Sequence, residues 1–388
     1  MKENQEILPL TGLRFVAAFY IFLFHWHIRW PLTDNYFAKN MLDQGAIGMS
    51  LFFMLSGFVL ALCYANESIN YKRYFINRFA RIYPIYVIAA VVTLPWIGIT
   101  FGSYSLVDVI LGLVRGTFLV FTNILLIQAW FPQLFNLWND GGSWAISVEV
   151  FFYLMLPLIL TRQLTQSSKR RLCVVASICF LLAILPGVSA FLFTGPANGI
   201  FYSVPVFRLP EFIIGICLCL AIRDTAERSK SRTILQIFVP VFFVTYLGFC
   251  GPLMPIYVGH NWIALPVIAF MIFSLSNEKG PITAVLSTST FVWLGKISYC
   301  FYSFQALLIL FLISKHDGVV HAIPYLSNNK FLAAFSLILL VAISALGYYV
   351  IEVPARRAIK AYFHGNDFTL STPSMADEEL KILGESKQ

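Results

Sequence analysis

Apolar runs of roughly 16 to 22 residues alternate with short polar or basic joints along most of this chain, the pattern of a polytopic helical membrane protein. The runs cover about residues 12–30, 46–64, 82–100, 144–161, 172–187, 200–222, 233–250, 261–276, 291–313 and 330–351. They predict an all-α fold of about ten transmembrane helices, because a helix satisfies its own backbone groups in hydrocarbon. A further stretch, 104–129, is apolar enough to be an eleventh span but carries Asp108, Arg115 and Asn123. Read as a non-crossing or re-entrant piece, it leaves the basic joints on one side: Lys72, Arg73, Arg78 and Arg81; Arg162, Lys169, Arg170 and Arg171; Arg223, Arg228, Lys230 and Arg232; Arg356, Arg357 and Lys360. The other side receives Arg29, Lys39, Arg115, Lys315 and Lys330. Lysine and arginine bias sets orientation, so both termini are expected in the cytoplasm.

Composition agrees with this class. The chain is 59% hydrophobic and 12% charged, against about 25% charged residues in a soluble domain. Its net charge of +8 follows from topology, and no basic run interleaved with aromatics points to nucleic acid. The first run is not a cleaved signal: Arg14 interrupts it, and Trp26-His27-Ile28-Arg29-Trp30 offers no small-residue cleavage site. The seven cysteines lie in or beside apolar runs without paired spacing, predicting neither a disulfide framework nor a metal site. No internal repeat is visible, which weakens an inverted-repeat transporter. The chain therefore divides into a membrane domain, 1–363, and a polar tail, 364–388, expected to be a disordered cytoplasmic end.

Charged groups inside the spans are the candidates for chemistry, because each costs about 2.5 to 3.5 kcal/mol at the bilayer centre. Arg14 and His25 are eleven residues apart, about 16 Å of rise and three turns plus roughly 20°, so they share one helix face at two depths. Imidazole is the usual base for a hydroxyl nucleophile. The competing reading is an interfacial histidine with a snorkelling arginine; for His27 and Arg29 the interface is the favoured reading. Gly45, Gly48 and Ser56 form a small-residue stripe, suited to close packing or to ligand contact. Arg78 and Arg81, three apart beside Tyr83 and ahead of Pro84, suit phosphates and a flat ring as well as membrane anchoring. Glu149 is placed one or two turns below the outer surface, at a depth where it could orient His25 or serve as a structural acceptor. Arg208 and Glu211 are either a packing pair or a site pair, and Lys296, Glu352 and Arg356 close helices at the cytoplasmic face.

Seven of these segments together resemble the acyltransferase-3 family of bacterial membrane O-acyltransferases. They are Arg14-x10-His25, Gly45-x-x-Gly48 through Phe58, Arg78-x-x-Arg81-Ile-Tyr-Pro84, Trp144-x-x-Ser147-x-Glu149, Arg208-Leu-Pro-Glu211-Phe, Ile297-Ser-Tyr299 and Ile351-Glu-x-Pro354-Ala-Arg356. The resemblance implies transfer of an acyl group, most commonly acetyl from cytoplasmic acetyl-CoA, to a hydroxyl of an extracytoplasmic glycan such as O-antigen, capsule or exopolysaccharide. It also implies residence in the bacterial inner membrane. On it, His25 and Glu149 are the expected catalytic residues and Arg14, Arg78 and Arg81 the expected acyl-CoA ligands, with no metal. A transporter of a lipid-linked sugar and a nonenzymatic envelope-assembly subunit stand as alternatives. Oligomeric state is not legible, nor is the folding of 31–45, 104–143, 188–200 and 314–329, the loops that shape an acceptor pocket.

Overall fold

The computed structural model describes residues 6–66, 69–97, 105–135, 137–138, 142–192, 197–223, 230–254, 257–276 and 279–364. Helices account for nearly all of them and no strand occurs among them. In chain order the main helices are α1 (Leu8–Arg29), α2 (Tyr36–Asp43), α3 (Gly48–Tyr64), α4 (Tyr71–Val92), α5 (Leu106–Ile124), α6 (Trp144–Ile159) and α7 (Lys169–Leu192). There follow α8 (Pro205–Ile222), α9 (Lys230–Cys250), α10 (Asn261–Leu275), α11 (Ser289–Ala322), α12 (Asn329–Gly347) and α13 (Val353–His364). Beyond His364 the polar tail lies outside the described residues, as does Arg228.

Nine of the described helices are long and apolar enough to cross a membrane, and α6 and α10 are shorter apolar helices between them. The chain is thus a multi-pass membrane protein. One of the nine is α5, the stretch expected not to cross. Its two flanks meet at the outer end of α4: the Trp138 amide donates to the Ile97 carbonyl (3.2 Å) and the Trp138 indole to the Ala90 carbonyl (3.0 Å). Its C-terminal end is tied to α4 by the Tyr86 hydroxyl, which donates to the Asn123 side chain at 2.9 Å. The segment leaves and rejoins the bundle on one side, so it is an uninterrupted apolar helix in an excursion with no net crossing.

Two helices depart from the expected spans. The third begins at Tyr71 rather than near residue 82, capped by the Asn70 side chain, which accepts from the Arg73 amide. Pro84 lies inside it, so Arg78 and Arg81 are carried on a continuous helix. The second is α11, whose 34 residues rise about 51 Å. It runs well past a hydrocarbon core of about 30 Å, so much of the expected 314–329 loop is helical.

Small residues set two close helix contacts. A Cβ at Gly57 would run into the Phe212 carbonyl and one at Gly215 into the Met54 carbonyl, pressing α3 on α8. A Cβ at Gly295 would meet the Thr11 backbone, pressing α1 on α11. Such approaches are what small residues contribute to membrane packing.

Candidate active site

At the basic end of the bundle α1, α4, α11 and α13 surround a vestibule of about 250 Å³. Six cations line it, Arg14, Arg78, Arg81, Lys296, Arg356 and Lys360, against two carboxylates, Glu6 and Glu352. Local geometry explains why they converge. Tyr348, Glu352, Arg356 and Lys360 are four residues apart and so share one helix face, and all four line the cavity. The turn Tyr348–Glu352 is a π-helix, a one-turn irregularity frequent at functional sites. The Cys300 thiol donates to Glu352 Oε2 at 3.3 Å.

Arg78 sits among three tyrosines, its guanidinium 5.6 Å from the Tyr64 ring, 5.8 Å from Tyr74 and 5.7 Å from Tyr153. Its Nη2 donates to the Tyr64 hydroxyl at 3.1 Å, while Nε is buried without a hydrogen-bond partner among the described residues. Cation–π contact with the rings leaves the remaining N–H groups of the guanidinium to pair with an anion.

The vestibule narrows at Arg14, Arg81, Ser298 and Tyr299, which also line a second, smaller cavity of about 60 Å³. The Tyr299 hydroxyl donates to the Ile82 carbonyl (2.8 Å), fastening α11 to α4 at this neck. Glu149 lies in the inner chamber with Ser56, Met49, Phe52, Ile146 and Tyr302. Arg14 and Arg81 act electrostatically on one another and each on Glu149. An apolar side lobe of about 240 Å³, walled by Ile7, Leu10, Val59 and Leu62, opens from the same arginine.

Glu149 makes no hydrogen bond to His25 among the described residues. It accepts from Ser56 (3.5 Å) and from the Tyr153 hydroxyl. The reason is depth. Glu149 stands ten residues from the basic end of the sixteen-residue α6, about the 15 Å at which Arg81 stands along α4. His25 is further out on α1, half-buried, its ring 5.2 Å from Phe24, and no hydrogen bond reaches it among the described residues. His27 is fixed in the outer turn instead: its Nδ1 accepts from the Leu32 amide (3.0 Å) and its Nε2 faces Asp43 at 3.8 Å.

The stripe of span two divides: Gly45 and Gly48 pack on α1 against Tyr20, Phe24, Ala17 and Ile21, and Ser56 turns into the chamber. Arg208 and Glu211 form a fully buried ion pair at 3.1 Å, bridged by Ser50. The structure thus brings Arg14, Arg78, Arg81 and Glu149 to one connected space and leaves His25 beyond its inner end. Sequence reasoning passed over Glu6, Asn77 and Lys360 as site residues and read Lys296, Glu352 and Arg356 as helix ends. The four-residue spacing from Tyr348 to Lys360 was the signal available for three of these six, Glu352, Arg356 and Lys360.

Comparison with known proteins agrees in kind. The model of a family described as an acyltransferase domain matches residues 8–350. The chain is 27% identical over 318 residues to the acyltransferase MdmB of Streptomyces mycarofaciens, covering 77% of this chain and 78% of that one. It is 22% identical over 386 residues to a Staphylococcus aureus protein named as an O-acetyltransferase, over 93% of this chain and 59% of the relative. It is also 22% identical over 326 residues to YrhL of Bacillus subtilis, named as a peptidoglycan O-acetyltransferase, over 78% of this chain and 48% of the relative. The chain therefore spans about half to three-fifths of the latter two proteins. No solved structure matches it. With the family model matching residues 8–350, from the Arg14 helix through six of the seven motifs, this chain belongs to the acyltransferase-3 family.

Proposed function

We propose that the protein moves an acyl group, acetyl foremost, from cytoplasmic acyl-CoA to a hydroxyl of an extracytoplasmic glycan, working in the bacterial inner membrane. The observation that carries this reading is the vestibule of six cations narrowing to the Arg14–Arg81 neck. A donor with several phosphates matches the charge at the wide end, and a slender thioester arm matches the narrow one. Arg78 would hold phosphate or the adenine plane from its tyrosine cradle. Arg14 and Arg81 would steer the arm, with the Glu149 carboxylate partly offsetting their charge. His25 would take the proton from the acceptor hydroxyl as its oxygen attacks the thioester carbonyl; the C–S bond then breaks and the thiolate departs toward the cytoplasm. Alternatively a ring nitrogen of His25 attacks the thioester carbonyl first and expels the thiolate; the acyl-imidazole then passes its group to the hydroxyl, whose proton goes to the released imidazole. The relatives' printed names, with one O-acetyltransferase acting on peptidoglycan, favour acetyl and a wall or envelope glycan.

The test uses cytoplasmic-side-out membrane vesicles containing the protein and supplied with labelled acetyl-CoA. Label is expected in lumenal glycan as a base-labile ester; its absence removes the donor assignment. Arg78→Ala is expected to raise KM for acetyl-CoA roughly 10- to 100-fold, the value of one or two charge-assisted hydrogen bonds, with a smaller change in kcat. Initial rates across donor concentration check it, and an unchanged KM takes Arg78 out of the donor site.

A further inference from the structure

Gln305 is buried in α11, and neither its Nε2 nor its Oε1 has a hydrogen-bond partner among the described residues. A buried amide with both ends open is costly, and such a group calls for a partner that the protein alone does not supply. Its position indicates what kind. Seven residues of helix return to within about 20° of the same face, so Gln305 stands directly beyond Ser298, one turn above Tyr302. Both of those residues line the inner chamber. Its depth follows from register. α1 and α11 run parallel, with Gly295 against Thr11 and the Phe301 ring 5.4 Å from Phe15 and 5.9 Å from Phe22. Counting from that contact, Gln305 lies about 10 Å beyond Arg14 and about 6 Å short of His25.

We propose that Gln305 is a donor-positioning residue that pairs with the last amide of the thioester arm, an inference that rests on the acyl-CoA reading. A carboxamide with a free C=O and a free NH₂ complements a secondary amide, which needs one acceptor and one donor. In acyl-CoA that amide is separated from the thioester by two methylenes and the sulfur, a span comparable to the roughly 6 Å rise between Gln305 and His25. Gripping the amide there sets the carbonyl at the imidazole.

The experiment compares acetyl-CoA with an analogue in which this amide is replaced by methylenes, on wild type and Gln305→Met. Wild type is expected to use the analogue about tenfold less well in kcat/KM, one neutral hydrogen-bonded contact. Gln305→Met is expected to use the two donors about equally, with acetyl-CoA turnover lowered about tenfold and a donor-free Tm equal to or above that of wild type. Equal use of both donors by wild type overturns the proposal, as does wild-type discrimination in the variant. So does a variant that melts well below wild type or does not fold, because the amide is then satisfied without donor. A wild type that uses neither thioester overturns the donor reading itself, an outcome distinct from loss of the Gln305 contact alone.

Discussion

His25→Ala at wild-type membrane abundance is expected to lower glycan acylation about 10²- to 10⁴-fold, the usual worth of a positioned general base. The argument is one of place. Arg14 and His25 share a face of α1, and the arginine lines both the vestibule and the chamber, so the histidine is the next titratable group along that face toward the outside. No hydrogen bond holds its ring among the described residues, which leaves its nitrogens available to a hydroxyl. His25→Gln keeps hydrogen-bonding capacity without comparable basicity and is expected to be as inactive as the alanine variant. Mass spectrometry of envelope glycan from cells carrying each variant reads the result. Acylation that persists in His25→Ala would remove the proposed base and bring forward a transport or assembly role, in which intramembrane charges serve a pathway rather than a proton transfer.

Much of the architecture was written in the apolar pattern, and the misread start of α4 has a simple cause. A hydropathy window follows mean polarity, whereas a helix in a bundle follows the polarity of each face. In α4 the polar start carries Lys72, Arg73, Arg78 and Arg81, which pulled the expected span toward the apolar end. Yet Tyr74, Ile82, Ile85, Tyr86 and Ala89 of the same helix are buried, and Arg78 and Arg81 face a cavity. A proline at 84 did not stop the helix, since neighbouring helices supply the packing that offsets its missing donor. The partners of Glu149 were hidden for a different reason. The outer limit of α6 is set by where Gln128 bonds the Ser143 carbonyl (3.1 Å) and where the Ala129 amide bonds Ser147 (3.3 Å), long-range contacts that no local pattern carries. The Arg14–His25 spacing was legible because both residues sit on one straight helix. The vestibule was not, because α1 and α4 form one side of it and α11 and α13 the other, with more than 200 residues of chain between Arg81 and Gly295.

The same distinction between local pattern and tertiary contact gives the largest expected effect on stability, at Arg208 and Glu211. Their spacing fits a site pair as well as a packing pair, and the structure favours packing. Both side chains are fully buried, Arg208 Nη2 reaches Glu211 Oε2 at 3.1 Å and Ser50 Oγ at 3.1 Å, and the guanidinium lies 5.3 Å from the Phe53 ring. Neither residue lines the vestibule or the chamber. Removing one member strands the other charge, so Arg208→Met or Glu211→Gln is expected to cost about 3 to 5 kcal/mol, seen as a large fall in the Tm of detergent-solubilised protein. Arg208→Met is expected to be the more severe, because Ser50 then loses a donor and the carboxylate keeps only Ser50. Replacing both, Arg208→Met with Glu211→Leu, removes the stranded charge and is expected to recover most of the lost stability, since apolar pairs commonly equal or exceed a buried ion pair. If the double variant folds and still acylates glycan, the pair is packing. If it folds with wild-type Tm and is inactive, the charges are needed in the reaction, and the acceptor's path has to be drawn past α8.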